Sequence, residues 1–217
     1  MAERLKVLIA DEHPILRLGV RGVLEDAGHQ VVDEAGDGLA AVEKATKRLP
    51  DIALMEVTLP QLDGMEATRR ILNKTKEKVQ VVIFSAFASE EYVLGGLSAG
   101  ARGYVTKATD PRDLVEALRR VRHGDLYLSP DVSTPVVLRN LRHGRLDDPL
   151  AILTARERQV LRLVSEGLTN KEVAANLGVA VKTVEAHRAN LMRKLDLHDL
   201  SALIRFSLRV GLLSPSR

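Results

Sequence analysis

The sequence predicts an α/β doubly wound domain on a five-stranded parallel sheet, followed by an all-α helix-turn-helix domain of four helices. Three observations carry this. Short apolar runs alternate with helical patterns five times before residue 122, and repeated strand–helix alternation gives a parallel sheet covered on both faces. Residues 153–213 then hold helical patterns only, punctuated by capping boxes and glycines. Between the two, 123–149 carries three prolines and little strand signal. The expected domains are therefore 1–122, a linker with a short helix over 123–150, and 151–217.

The predicted strands are 5–10, 30–35, 52–56, 79–85 and 103–106, with helices at about 14–27, 38–48, 65–74, 90–99 and 111–122. The third strand, "IALME", is an unbroken apolar run closed by one acid, the pattern of a strand buried on both faces. The fourth helix contains Gly95-Gly96, each costing about 1 kcal/mol relative to alanine. A deliberately weak helix and close packing both explain the pair. In the linker, Thr134 reads as an N-cap with Pro135 at the first helical position, starting a helix over about 135–142. In the tail, Thr154 with Glu157 and Thr169 with Glu172 form two capping boxes. Gly167 and Gly178 end their helices. A third helix at about 181–195 and a fourth at about 199–210 follow. Two short helices joined at a glycine and then a longer one match a helix-turn-helix.

Composition narrows the classes. Hydrophobic content of 45% and charged content of 28% are those of a soluble globular protein. With no cysteine, disulfide frameworks and thiolate zinc sites are excluded. No apolar run approaches the roughly 18 residues of a membrane span, and the start "MAERLKVLIADEHP" is not a signal peptide. The expected home is the cytoplasm, with no membrane partner. Net charge is −1 over 1–122, −1 over 123–152 and +5 over 153–217. The basic excess lies in the tail and points to a polyanion there; a merely basic surface is the alternative.

Four features fall at predicted strand carboxyl ends: Asp11-Glu12, Glu56, Ser85 and Lys107. A doubly wound sheet gathers those ends at one crevice. Carboxylates there can hold Mg²⁺ together with phosphate oxygens and waters, and a lysine and a hydroxyl can steady phosphoryl charge. Singly, each has an ordinary reading as a helix-start acid, a strand-end hydroxyl or a solvated lysine. Their combination and order point to one site.

"VLIADEHPILRLGVRGVLE", "PDIALMEVTLPQLDGMEA", "VVIFSAF" and "AGARGYVTKA" resemble the flavodoxin-like receiver domain of a bacterial response regulator. "LTARERQVLRLVSEGLTNKEVAANLGVAVKTVEAHRANLMRKL" resembles a LuxR-type helix-turn-helix. The combination is similar to the NarL/FixJ family over nearly the whole chain, the linker matching least. The resemblance implies a Mg²⁺-binding pair at Asp11 and Glu12, with Glu56 and the backbone carbonyl of Thr58 completing the metal site. It implies that Ser85 follows the phosphoryl group, that Lys107 pairs with it, and that the Tyr104 rotamer reports the state. Glu56 stands where the family carries its phosphoacceptor aspartate. One added methylene shifts the carboxylate by roughly 1.3 Å, and misplacement on the order of 1 Å can cost about 100-fold in rate. Three readings of Glu56 stand open: a mimic of phosphorylation, a natural receiver that works without it, and a structural acid locked to Lys107. A sensor histidine kinase is an expected partner if phosphorylation is retained.

In the third tail helix Val184, Leu191 and Leu195 share one face and should pack inward. Lys182, Glu185, Ala186, Ala189 and Arg193 form the opposite stripe, which the resemblance directs into the major groove of double-stranded DNA. Glu185 can accept from cytosine N4, and Ala186 or Ala189 can touch a thymine methyl. Lys182, Thr183, Arg188 and Arg193 suit phosphates. His187 suits a structural or phosphate-contacting role. Ala180 stands where the family commonly has a serine cap. Leu200, Leu203, Ile204 and Leu208 recur at helical spacing, consistent with core packing and, by resemblance, with a homodimer contact. The expected function is transcriptional control, not enzymatic. Two alternatives remain: a Mg²⁺-dependent phosphohydrolase, which lacks a Gly-rich phosphate loop here, and a protein-interaction adaptor that no longer binds DNA.

Overall fold

The computed structural model describes residues 3–135, 137–138 and 152–209. The chain divides into two compact units, 1–146 and 147–217.

The first unit is a parallel sheet in the order β2-β1-β3-β4-β5-β6. The strands are β1 (Lys6–Ala10), β2 (Gln30–Ala35), β3 (Ile52–Met55), β4 (Gln80–Ser85), β5 (Gly103–Thr106) and β6 (Tyr127–Leu128). Every residue of β3 and β5 is buried, as central strands of a two-sided parallel sheet require. The helices are α1 (Pro14–Asp26), α2 (Gly38–Arg48), α3 (Gly64–Thr75), α4 (Glu90–Ser98) and α5 (Pro111–Arg122). Leu24 of α1 and Leu118 of α5 share a core with Val7, Leu54, Val82 and Val105 on one face. On the other face Gly96 of α4 lies against Ile83, the neighbour of Val82 in β4. Helices α2 and α3 pack on each other. Asp37, Asp63 and Asp110 cap α2, α3 and α5 through their side chains, each satisfying an otherwise orphaned amide.

The sheet continues past residue 122, where the sequence predicts a linker. Tyr127 and Leu128 pair in parallel with Gly103 and Tyr104, giving six strands rather than five. A 3₁₀ turn, Pro130–Val132, follows. Thr106 Oγ1 donates to Asp131 at 2.7 Å, and the Ser129 amide donates to the Tyr104 carbonyl at 3.0 Å. Thr134 Oγ1 donates to Glu90 of α4 at 2.6 Å. The helix expected at about 135–142 lies mostly outside the described residues.

The second unit contains α6 (Ala155–Ser165), α7 (Asn170–Leu177), α8 (Val181–Lys194) and α9 (Leu200–Arg209). Both predicted capping boxes are formed, Thr154 with Glu157 and Thr169 with Glu172. Gly178 ends α7 in the left-handed region, at φ 65°, where glycine carries no Cβ penalty. The core joins Val160, Leu161, Val173, Val184, Leu191, Leu203 and Phe206. Among the described residues no helix is long and apolar enough to cross a membrane.

Candidate functional site

Strand register assembles the site. The order reverses between β1 and β3, and the crevice outside that reversal is where open α/β sheets bind ligands. The Glu56 amide donates to the Ala10 carbonyl at 2.9 Å, and the Lys107 amide to the Ser85 carbonyl at 2.9 Å. Strand pairing thus extends just past β3 and β5 and delivers both side chains to the same end. Gly64 completes the frame. A Cβ there would lie 2.0 Å from the Glu56 carbonyl oxygen, so only glycine lets α3 begin this close to the loop.

Glu56 is buried and fully engaged. Its Oε1 accepts from Ser85 Oγ at 2.6 Å and from the amides of Val57 and Thr58 at 2.6 and 3.2 Å. Its Oε2 lies 2.5 Å from Lys107 Nζ. The same ammonium reaches Asp11 Oδ2 at 2.6 Å. Burial alone would lower the Lys107 pKa; the charges of Glu56 and Asp11 overcome this and raise it above its ordinary value. Charge-assisted contacts of this length are among the stronger ones in proteins.

The structure brings Asp11, Glu56, Ser85 and Lys107 together. Glu12 is turned aside, its Oε1 3.9 Å from His13 Nε2. Thr58 enters through its amide. Sequence reasoning passed over His13, whose amide and ring Nδ1 lie 2.8 and 3.1 Å from Asp11 Oδ1. The signal was present in "DEHP", because an aspartate bonding the amide two residues on is an Asx turn. Mg²⁺ demands a near-octahedral shell of oxygens at about 2.0–2.1 Å. Asp11 Oδ1 and Glu56 Oε1 already accept hydrogen bonds, while Asp11 Oδ2 and Glu56 Oε2 each lie against the Lys107 ammonium, Asp11 Oδ2 as an ion pair without a hydrogen bond. Among the described residues no group of three or more His, Cys, Asp or Glu side chains could hold a metal ion. In this arrangement the residues do not fit the ion.

Tyr104 is fully buried. Its hydroxyl donates to the Phe87 carbonyl at 2.6 Å, in the segment that links β4 to α4. Burial, and then the charge of Glu56, push its pKa well above the ordinary tyrosine value. Gly96 explains how the ring fits: a Cβ there would meet Ile83 at 3.1 Å and the Tyr104 ring at 3.4 Å. At this position the glycine serves close packing.

In the second unit α8 presents the predicted faces. Val184 and Leu191 are fully buried and Leu195 is half-buried. Lys182, Thr183, Glu185, Ala186, Ala189 and Arg193 are exposed, with His187 and Arg188 half-buried beside them. Arg188 donates to Asn170 of α7 at 3.1 Å, which ties the exposed stripe to the preceding helix. Ala180 precedes α8 with no side-chain cap. In α9, Leu203 and Phe206 fill the core while Leu200 and Ile204 stay exposed; the Leu208 side chain lies outside the described residues.

Comparison with known proteins gives matches in both units. Residues 7–119 match the family described as response regulator receiver domain, and residues 151–207 match bacterial regulatory proteins, luxR family. The chain is 35% identical over 216 residues to the oxygen regulatory protein NreC of Staphylococcus carnosus, covering 96% of this chain and 99% of that one. A LuxR-family two-component response regulator from Aurantimonas is similar in structure at 34% identity, with a TM-score of 0.58. That match covers 67% of this chain and all of the other. The RcsB response regulator of Salmonella enterica serovar Typhimurium, bound to promoter rprA in the presence of phosphomimetic BeF₃⁻, is similar at 25% identity. Its TM-score is 0.62, with coverage of 94% and 98%.

Proposed function

We propose a function from one premise: the chain belongs to the NarL/FixJ family of two-component response regulators, a receiver domain joined to a LuxR-type helix-turn-helix. It is a DNA-binding regulator of transcription. In the finer reading, Glu56 stands at the phosphoacceptor position and acts as a fixed anion. The receiver then takes its signalling arrangement without phosphotransfer.

One observation carries this reading. Ser85 Oγ is drawn onto Glu56 Oε1 at 2.6 Å while Tyr104 is turned fully inward. An anion in the crevice favours both, because it gives the hydroxyl an acceptor and leaves room for the ring against Gly96. The Lys107 contact alone would also suit an acid locked at rest; Ser85 and Tyr104 favour the signalling state. Phosphotransfer to Glu56 is disfavoured twice, by the added methylene and because both its oxygens are engaged. A sensor kinase is a partner only to the extent that a phosphoryl group still reaches this crevice.

The reader is α8. Glu185, Ala186 and Ala189 face base edges, and Lys182, Thr183, Arg188 and Arg193 hold phosphates, with His187 beside them. Leu200 and Ile204, exposed on α9, supply the contact of a homodimer, which asks for half-sites about one helical turn apart. The test is duplex affinity at fixed salt, on sites selected from random sequence, for the chain, for Glu56→Ala, and for Glu56→Asp with and without a small phosphodonor. The chain should bind more tightly than Glu56→Ala and approach phosphorylated Glu56→Asp. Affinity no better than that of Glu56→Ala would remove the fixed-anion reading. A loss of all sequence preference would favour the adaptor alternative.

A further inference from the structure

We propose that Lys107 is the resident cation of the receiver crevice and that, while Glu56 is present, the crevice takes no divalent metal. This rests on the reading that Glu56 occupies the phosphoacceptor position. Receiver domains generally bind Mg²⁺ at their acidic site, so the assignment sets this chain apart.

The oxygens decide it. Asp11 Oδ1 faces the amide and ring of His13, and Oδ2 faces Lys107 at 2.6 Å. Glu56 Oε1 takes three donors, and Oε2 faces Lys107 at 2.5 Å. Glu12, the remaining acid, points elsewhere, with about a third of its side chain exposed. A metal would have to take oxygens from the ammonium and then sit beside it, cation against cation, in a pocket whose two acids are each 4% exposed. A dication that dehydrates reluctantly and insists on its geometry competes poorly against a tethered ammonium already in contact with both carboxylates.

Side-chain length makes this possible. From the end of β3, glutamate spans Ser85 on one side and Lys107 on the other. An aspartate, roughly 1.3 Å shorter, cannot keep both contacts and would free an oxygen for a metal. The crevice is thereby released from the metal as well as from the phosphoryl group, and its state becomes independent of divalent-cation supply.

The experiment uses the full chain, Glu56→Asp and Lys107→Met. Each is titrated with Mn²⁺, following the free-ion electron paramagnetic resonance signal, and with Mg²⁺ by calorimetry. Circular dichroism checks that each variant is folded. The chain should show no saturable binding into the millimolar range. Glu56→Asp should bind Mn²⁺ about tenfold more tightly or better, the size of effect that ligand-positioning changes produce. Lys107→Met, with two carboxylates and no ammonium, should also gain a site. Saturable binding by the chain as tight as that of Glu56→Asp overturns the proposal, and so does Glu56→Asp remaining unable to bind. Duplex affinity relative to Glu56→Ala is read separately. A chain that binds metal yet outperforms Glu56→Ala on DNA defeats this inference alone; one that binds neither metal nor DNA better defeats the fixed-anion reading alone.

Discussion

Lys107→Met should destabilise the receiver unit strongly, and by a similar amount from neutral pH up towards the ordinary lysine range. Methionine keeps the length and apolar stem of lysine and deletes only the charge. The Lys107 side chain is 16% exposed, and each of the acids it bridges is 4% exposed. Removing one partner of a buried ion pair costs about 3–5 kcal/mol. Glu56 keeps three hydrogen-bond donors and Asp11 keeps His13, so the lower end, about 3 kcal/mol, is the expected loss. For a unit of this size that lowers Tm on the order of 10 °C. The pH dependence separates this cause from simple misfolding. In the parent, the raised Lys107 pKa gives a contribution complete below the ordinary lysine value and lost only as pH rises through the folded one. Calorimetric melts of parent and variant across roughly pH 7 to 9 measure the deficit and its constancy. A variant melting within about 2 °C of the parent at neutral pH, or a deficit that already closes below the ordinary lysine value, would refute the account.

Three other outcomes are expected. His29 is buried, its Nδ1 accepts from the Leu5 amide at 3.3 Å, and burial followed by the charge of Arg119 lowers its pKa. The unfolded chain takes up a proton that the folded one refuses, so stability should fall as pH drops below about 6.5; urea titrations of His29→Gln should lose that slope. Ala180→Ser should cap α8 and stabilise the second unit by about 0.5–1 kcal/mol, read as a higher Tm for that unit only. Glu157 is buried, and Lys194 Nζ at 2.7 Å, with the Thr154 amide, lowers its pKa against the opposing effect of burial. Its contribution should be complete above the ordinary carboxylate range and lost as pH falls through the lowered value. Glu157→Gln should therefore cost about 1.5–3 kcal/mol at neutral pH, and urea titrations should show the difference from the parent closing in acid.

The helices and the five long strands were legible because each carries its own signal. Capping boxes at Thr154 and Thr169 are local chemistry, and β1, β3 and β4 each carry an apolar run of four residues. β6 was not legible. Two residues hold no periodicity, and Tyr127 and Leu128 become a strand only because β5 offers them an open row of backbone groups. The crevice was half legible. Order along the chain located Asp11, Glu56, Ser85 and Lys107, since strand ends follow from the strands. That one ammonium would bridge two carboxylates depends on side-chain length and rotamer, which no spacing encodes. Glu157 shows the same limit: its cap role is written in the sequence, while its partner Lys194 lies 37 residues further on. The buried His29 gave no pattern at all.

The short sixth strand also bears on how the receiver keeps to itself. Gly103–Thr106 is an entirely buried strand, and without Tyr127 and Leu128 its outer rim of amides and carbonyls would invite pairing with another chain. The strand that covers it runs for only two residues before Pro130, which has no amide to donate, so little template remains for further growth. A fragment ended at residue 122 would lose this seal and become sticky along the very strand that carries Tyr104, whereas one carried through Ser133 keeps it.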